Sequence, residues 1–152
     1  MASECDFVLI GGLAVQIHGG DRFTEDLDLA YRRTRENAKR IASALEGAHP
    51  VPREWPESVP FIWDEQTVFS STILTLVTDL CDTDLLGAPD GAPAYDQLKA
   101  NSLKIDFDGH ELCVASIDDL IAMKRAAGRP KDLADVALLE SSRKLGLNPP
   151  LK

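Results

Sequence analysis

The sequence predicts an α+β fold, a small mixed β-sheet flanked by helices and closed by two C-terminal helices. Three observations point to it. Short runs of aliphatic and β-branched residues alternate with stretches of helical periodicity. A Gly-Gly pair stops the first apolar run, and two helix-start signals follow one another near the C-terminus.

Composition bounds the answer. With 152 residues and 44% hydrophobic content, the chain suits one core, so residues 1–152 are expected to form a single domain. A formal charge of −9 repels a phosphate backbone, which disfavours a non-specific nucleic-acid binder unless a recruited cation reverses the local field. Cys5, Cys81 and Cys113 form an odd set without metal-ligand spacing. No signal-peptide pattern precedes them, so reduced thiols and a cytoplasmic location are expected. The apolar runs are far shorter than the roughly 20 residues that cross a bilayer, and membrane insertion is not expected.

Phe7-Val8-Leu9-Ile10 reads as a strand, stopped by Gly11-Gly12, and Leu13 to His18 as a short helix ended by Gly19-Gly20. Asp26-Leu27-Asp28-Leu29-Ala30-Tyr31 alternates charged and apolar residues, as a strand with one buried face does. Both aspartates then share a side. Thr34 caps a helix whose Ala38, Ile41, Ala42 and Leu45 make one apolar stripe. From His49 to Pro60, Pro50, Pro52, Pro56 and Pro60 interrupt regular structure, and Trp55 within this excursion reads as a packing anchor.

Thr72 to Val77 and Thr83 to Leu86 are strand-like runs separated by a turn around Asp79 and Asp82. Tyr95 to Ala100 suits a short helix after the loop Gly87 to Gly91. Asp108-Gly109, between Leu103–Phe107 and Glu111–Val114, is a strong hairpin signal. Ser116-Ile117-Asp118-Asp119 has the form of a capping box and opens a helix that runs to Ala127, with Gly128 as its stop. Pro130 fits the first turn of the next helix, striped by Leu133, Val136, Ala137 and Leu139, and the tail after Gly146 is expected to fray.

The candidate chemistry lies in the first strand pair. Asp-x-Asp on one strand face brings two carboxylates within reach of one hard cation, and magnesium prefers such oxygen ligands. Alone the pattern is usually a solvated face. Glycines between a strand and a helix let backbone amides approach phosphate oxygens, although a lone pair is more often a tight turn. It is the combination that carries weight: Ile10-Gly11-Gly12, a spacer, then Asp26-Leu27-Asp28-Leu29.

This arrangement resembles the signature of the nucleotidyltransferase superfamily, whose fold is related to the DNA polymerase β core. Asp82-Thr83-Asp84-Leu85-Leu86-Gly87, Leu120 to Lys124 and Gly128-Arg129-Pro130-Lys131-Asp132-Leu133-Ala134-Asp135 are similar to stretches of small AbiEii-like relatives. The resemblance implies a third carboxylate from a neighbouring strand. Asp106 in Ile105-Asp106-Phe107 fits the local pattern as well as Asp84 does, and the likeness to the small relatives favours Asp84. It implies two magnesium ions on Asp26, Asp28 and Asp84, a nucleoside triphosphate as substrate, and transfer of its nucleoside monophosphate to a hydroxyl of RNA, protein or a small molecule.

By the same resemblance, Gly11 and Gly12 would hold phosphates, with Lys124, Arg129, Lys131 and Arg22 as further phosphate partners and Asp84 assisting acceptor deprotonation. Two readings of the tail cations stay open, phosphate contact or pairing with Asp132, Asp135 or Asp119. His18 at a helix end suits a cap or core role better than catalysis. Relatives carry a helix ahead of the first strand, where six residues precede Phe7 here, so a homodimer or a cognate antitoxin is an expected partner, as in a toxin-antitoxin pair. Relatives also add an acceptor-gripping domain, so the alternative function is a catalytically weak or inactive binding or regulatory module of the same fold.

Overall fold

The computed structural model describes residues 4–21 and 23–146, so Arg22 and the tail after Gly146 lie outside the described residues. In chain order the elements are β1 (Phe7–Ile10), α1 (Gly11–Ile17), β2 (Leu27–Tyr31), α2 (Arg35–Leu45) with a 3₁₀ turn at Glu46–Ala48, and β3 (Val51–Pro52). Then come α3 (Glu65–Ser70), β4 (Ile73–Val77), β5 (Asp82–Leu86), α4 (Tyr95–Asn101), β6 (Leu103–Phe107), β7 (His110–Val114), α5 (Ile117–Ala127) and α6 (Pro130–Leu145). This is the expected α+β architecture with two closing helices.

The strands form one seven-stranded sheet in the order β3-β4-β5-β2-β1-β7-β6. It is mixed: β2 runs parallel to β5 and β1 parallel to β7, while the other neighbours are antiparallel. Strand alternation splits the apolar residues into two cores. Val8, Ile10 and Ala30 pack with Ala14, Leu120, Met123 and Leu139, so α1, α5 and α6 cover one face. Tyr31, Leu74, Leu76 and Leu85 pack with Ala38, Ile41 and Val68, so α2 and α3 cover the other.

Local signals account for most boundaries. Thr34 and Ser116 accept hydrogen bonds from the backbone N–H of Asn37 and Asp119, as N-caps do. Gly128 ends α5 in the left-handed conformation, and Asp108 with Gly109 turns β6 into β7 with both φ angles positive. Three expectations shift. Helix α1 starts at Gly11 rather than Leu13, so the glycines are its first turn and not a separate loop. Strand β2 starts at Leu27, which leaves Asp26 just ahead of the ladder. The proline-rich excursion contributes the two-residue β3 to the sheet edge, because Val51 and Pro52 pair with Val77 and Leu76.

Helix α3 was not legible in the sequence because it is short and its stripe is thin, and it is held by an Asp64 cap accepting from the N–H of Thr67 at 2.9 Å. A polar cluster anchors the chain start to α4. Asp6 takes hydrogen bonds from Arg32 Nε at 2.6 Å and Tyr95 Oη at 2.8 Å, and a close ion pair from Lys99. Burial raises the Asp6 carboxyl pKa, but the bonds from Lys99, Arg32 and Tyr95 outweigh it and bring it down to about 2. His18 is a core residue, its Nε2 2.8 Å from the carbonyl of the buried Ala115.

Candidate functional site

The parallel pairing of β2 with β5 puts Asp28 beside Asp84, in register. Antiparallel β1 puts Ile10 on the other side of Asp28, and β4 puts Thr75 beside Asp84. Ile10, Asp28, Asp84 and Thr75 therefore form one row across four strands. Gly11 follows immediately, at the top of that row. Its φ of +73° is a conformation glycine adopts readily, and a Cβ there would lie 2.0 Å from Asp28 Oδ2. The glycine is required twice over, by backbone angle and by the carboxylate packed against it.

Gly12 is equally tight, since a Cβ there would meet the Thr24 methyl at 2.8 Å. Thr24 in turn accepts a hydrogen bond from the Asp26 N–H at 3.2 Å, which fixes the entry into β2. Asp26 is exposed. Asp106, the alternative third carboxylate, lies on edge strand β6, separated from β2 by β1 and β7.

A cleft of about 270 Å³ opens over the row, lined by Gly11, Asp28, Asp84, Lys124, Arg129 and Asp132 among others. Its floor is the sheet and its far wall is α5 with the start of α6. Beyond Asp84, among the described residues, no helix covers this face: Ile73 is 61% and Val77 44% exposed, leaving an open shelf on β4 and β5. Asp90, on the loop after β5, also borders the cleft; a loop residue without a motif carries no signal in the sequence.

The electrostatics follow from this crowding. Burial, then the neighbouring charge of Asp84 and to a lesser extent Asp26, push the Asp28 carboxyl up to about 6, against the pull of Lys124 and Lys131. Asp28 thus sits where positive charge is in deficit. The cations of the far wall are held in place rather than pointed freely: Lys124 Nζ is 3.0 Å from Asp135 and 3.6 Å from Asp132, both carboxylates being buried. Arg129 Nε is 2.6 Å from Asp132, and the Arg129 N–H bonds the same carboxylate at 3.2 Å. Those bonds outweigh the burial of Asp132 and hold its carboxyl below the usual carboxylate range.

Of the two open readings of the tail, pairing is the one the structure contains. Lys124 and Arg129 are ion-paired to α6, and the same two residues line the cleft. Lys131 is exposed outside the lining, and its charge is still felt at Asp28. A further cation reaches the row from an unforeseen direction. Arg53, just past β3, stands 3.0 Å from Asp84 Oδ1 and 3.6 Å from Asp82 Oδ2. No sequence motif marks it, since the contact depends on how β3 docks on β4.

The donor set suits a hard divalent cation: carboxylate oxygens from adjacent strands, one of them with a pKa raised by burial and by the charge of its neighbour. Among the described residues, no three His, Cys, Asp or Glu side chains are gathered closely enough to enclose an ion as they stand, Asp84 being turned to Arg53. Among the described residues, no helix is long and apolar enough to cross a membrane.

Comparison with known proteins bears on the fold. The family model described as nucleotidyl transferase AbiEii toxin, type IV TA system, matches residues 2–55, the stretch that holds Gly11, Gly12, Asp26 and Asp28. The fold is similar to that of an antigenic nucleotidyltransferase-like protein from Paracoccidioides brasiliensis, at 17% identity and a TM-score of 0.55, over 92% of this chain and 68% of that one. It is likewise similar to ANT(2″)-Ia solved in complex with adenylyl-2″-tobramycin, at 15% identity and a TM-score of 0.53, over 91% of this chain and 79% of that one. No curated protein sequence matches the chain.

Proposed function

We propose that this chain, which has the fold of the nucleotidyltransferase superfamily, is a magnesium-dependent enzyme that moves a nucleoside monophosphate from a triphosphate to a hydroxyl acceptor. The observation that carries the reading is the row in which Asp28 and Asp84 stand side by side beneath Gly11, facing Lys124 and Arg129 across a cleft. An acidic row opposite a basic wall suits a polyanion only when cations bridge the two. Magnesium held by Asp26, Asp28 and Asp84 would supply that charge and polarise the phosphoryl oxygens.

The residues of the chain do the rest. Gly11, with no Cβ, lets the Asp28 carboxylate pack directly against the turn, and the backbone amides of Gly11 and Gly12 would meet the phosphates beside it. Lys124 and Arg129 offset phosphate charge from the far wall, and Lys131 and Arg22 are further phosphate partners in this reading. The acceptor approaches over the open shelf of Ile73 and Thr75, next to Asp84. Its hydroxyl oxygen forms the new bond to the α-phosphorus, its proton passes to the Asp84 carboxylate, and the bond to the bridging oxygen breaks to release pyrophosphate.

We assign the acceptor to the hydroxyls of RNA, protein or small molecules, and the biological role to the toxin half of a toxin-antitoxin pair, acting in the cytoplasm as one domain, with a cognate antitoxin or a second copy as partner. Purified protein with magnesium and α-labelled triphosphates is expected to label an acceptor, and Asp26→Ala with Asp28→Ala to abolish it; label that persists in the double variant overturns the assigned site. A second reading, a binding or regulatory module of the same fold, is favoured by the Arg53 contact that already occupies Asp84. Calorimetry separates the two, because the module reading expects no saturable, magnesium-dependent triphosphate binding.

A further inference from the structure

Arg53 belongs to the acidic row although it lies outside every sequence motif. Its N–H bonds the carbonyl of Thr75 at 2.8 Å, extending the β3–β4 ladder by one residue, and Thr75 is the register partner of Asp84. Strand order then lines up Arg53, Thr75, Asp84 and Asp28 on one face of the sheet. The guanidinium crosses above Thr75 and donates from Nη2 to Asp84 Oδ1 at 3.0 Å, with Nε 3.6 Å from Asp82 Oδ2. The two side chains in that main contact are 37% and 28% exposed, so the pair is partly shielded from water and reachable by a small ion.

We propose that Arg53 is a built-in counter-ion of Asp84 that a divalent cation must displace, and that this exchange couples metal loading to the proline-rich segment that follows it. The inference rests on the reading that Asp26, Asp28 and Asp84 form the cation site. The physical argument is competition for one carboxylate. A guanidinium 3.0 Å from Oδ1 and a divalent ion on the same carboxylate repel each other and divide its negative charge, so the ion binds at the expense of the Arg53 pair. Asp82, two residues along on the same strand face, offers Arg53 a second carboxylate and shortens the movement to a swing of the guanidinium.

The swing is transmitted to a short, stiff segment. Arg53 is followed by Glu54, whose φ is +63°, and by Trp55, whose Nε1 donates to the Val59 carbonyl at 2.9 Å and whose ring packs 5.4 Å from that of Phe61. Pro56 and Pro60 restrict the chain between these contacts. A change at Arg53 therefore reaches the indole within two residues. Trp55 reports on the occupancy of Asp84 without touching it.

The test uses the full chain in two assays. Manganese binding, read by water-proton relaxation, is measured for wild type, Arg53→Met, Arg53→Lys and the pair Arg53→Met with Asp84→Asn. Arg53→Met keeps the aliphatic stem and is expected to bind manganese roughly fivefold more tightly, the order expected of a partly exposed ion pair. Arg53→Lys, which keeps the charge but loses the fork, falls between, and adding Asp84→Asn removes the gain. With Trp63, the second of the two tryptophans, replaced in a Trp63→Phe background, magnesium changes the Trp55 emission of the protein with Arg53 intact and leaves that of Arg53→Met unchanged.

Manganese affinity that is equal in wild type and Arg53→Met overturns the counter-ion role while leaving the cation site standing. No manganese binding by either protein overturns the site itself, and the inference with it.

Discussion

Gly11 and Asp28 are packed so closely that a methyl group cannot be placed between them: the missing Cβ of Gly11 would sit 2.0 Å from Asp28 Oδ2. The turn and the carboxylate are one unit. Gly11→Ala is expected to cost about 2–4 kcal/mol, from the positive φ together with the displaced Asp28 side chain. Urea unfolding of the variant checks it, and a midpoint within error of wild type refutes it.

Asp28 is held at a cost to the fold. Its carboxyl titrates near 6 in place of the ordinary 3.8, so the folded protein holds this proton more tightly than the unfolded chain. The penalty is full above about pH 6 and is relieved as pH falls toward about 4. Asp28→Asn is therefore expected to raise the metal-free Tm at neutral pH by about 4–8 °C, from on the order of 2 kcal/mol, and to bring no gain near pH 4. Thermal scans in chelator at both pH values decide it; a Tm at or below that of wild type at neutral pH is the contrary result.

Asp6 runs in the opposite sense. Its carboxyl is held down to about 2 by Lys99, Arg32 and Tyr95 in spite of burial, so it contributes stability that is present above about pH 4 and lost as pH falls toward 2. Asp6→Asn is expected to lower neutral-pH stability by about 2 kcal/mol, and the two proteins are expected to converge in acid. Denaturant titrations at pH 7 and pH 2.5 measure the difference, and a constant gap between them refutes the linkage.

Lys124 bridges the cleft wall to the α5–α6 interface. Its Nζ lies 3.0 Å from Asp135 and 3.6 Å from Asp132, and its side chain is 13% exposed. Lys124→Met removes a cation from beside two buried carboxylates and is expected to destabilise the fold by about 3 kcal/mol, while triphosphate affinity falls. Wild-type stability together with lost binding would assign Lys124 to phosphate alone and set aside the interface role.

What the sequence by itself determined are features whose physics is complete within a few residues. Gly11-Gly12 after an apolar run, alternation through Asp26 to Tyr31, the Ser116 cap, Pro130 at a helix start and the Asp108-Gly109 turn each act through local backbone geometry, and each stands where it was expected to within two residues. The α+β class followed from their order. Local pattern left Asp84 and Asp106 equivalent, and resemblance favoured Asp84. Tertiary structure decided their positions, since parallel pairing of β2 with β5 makes Asp84 the neighbour of Asp28 and leaves Asp106 on a distant edge strand. It also decided that Arg53 reaches Asp84, that Lys124 and Arg129 share their charge between α6 and the cleft, and that β4 and β5 leave an open shelf. Strand order and register arise from burying both sheet faces at once, a condition on the whole chain that no short stretch of sequence contains.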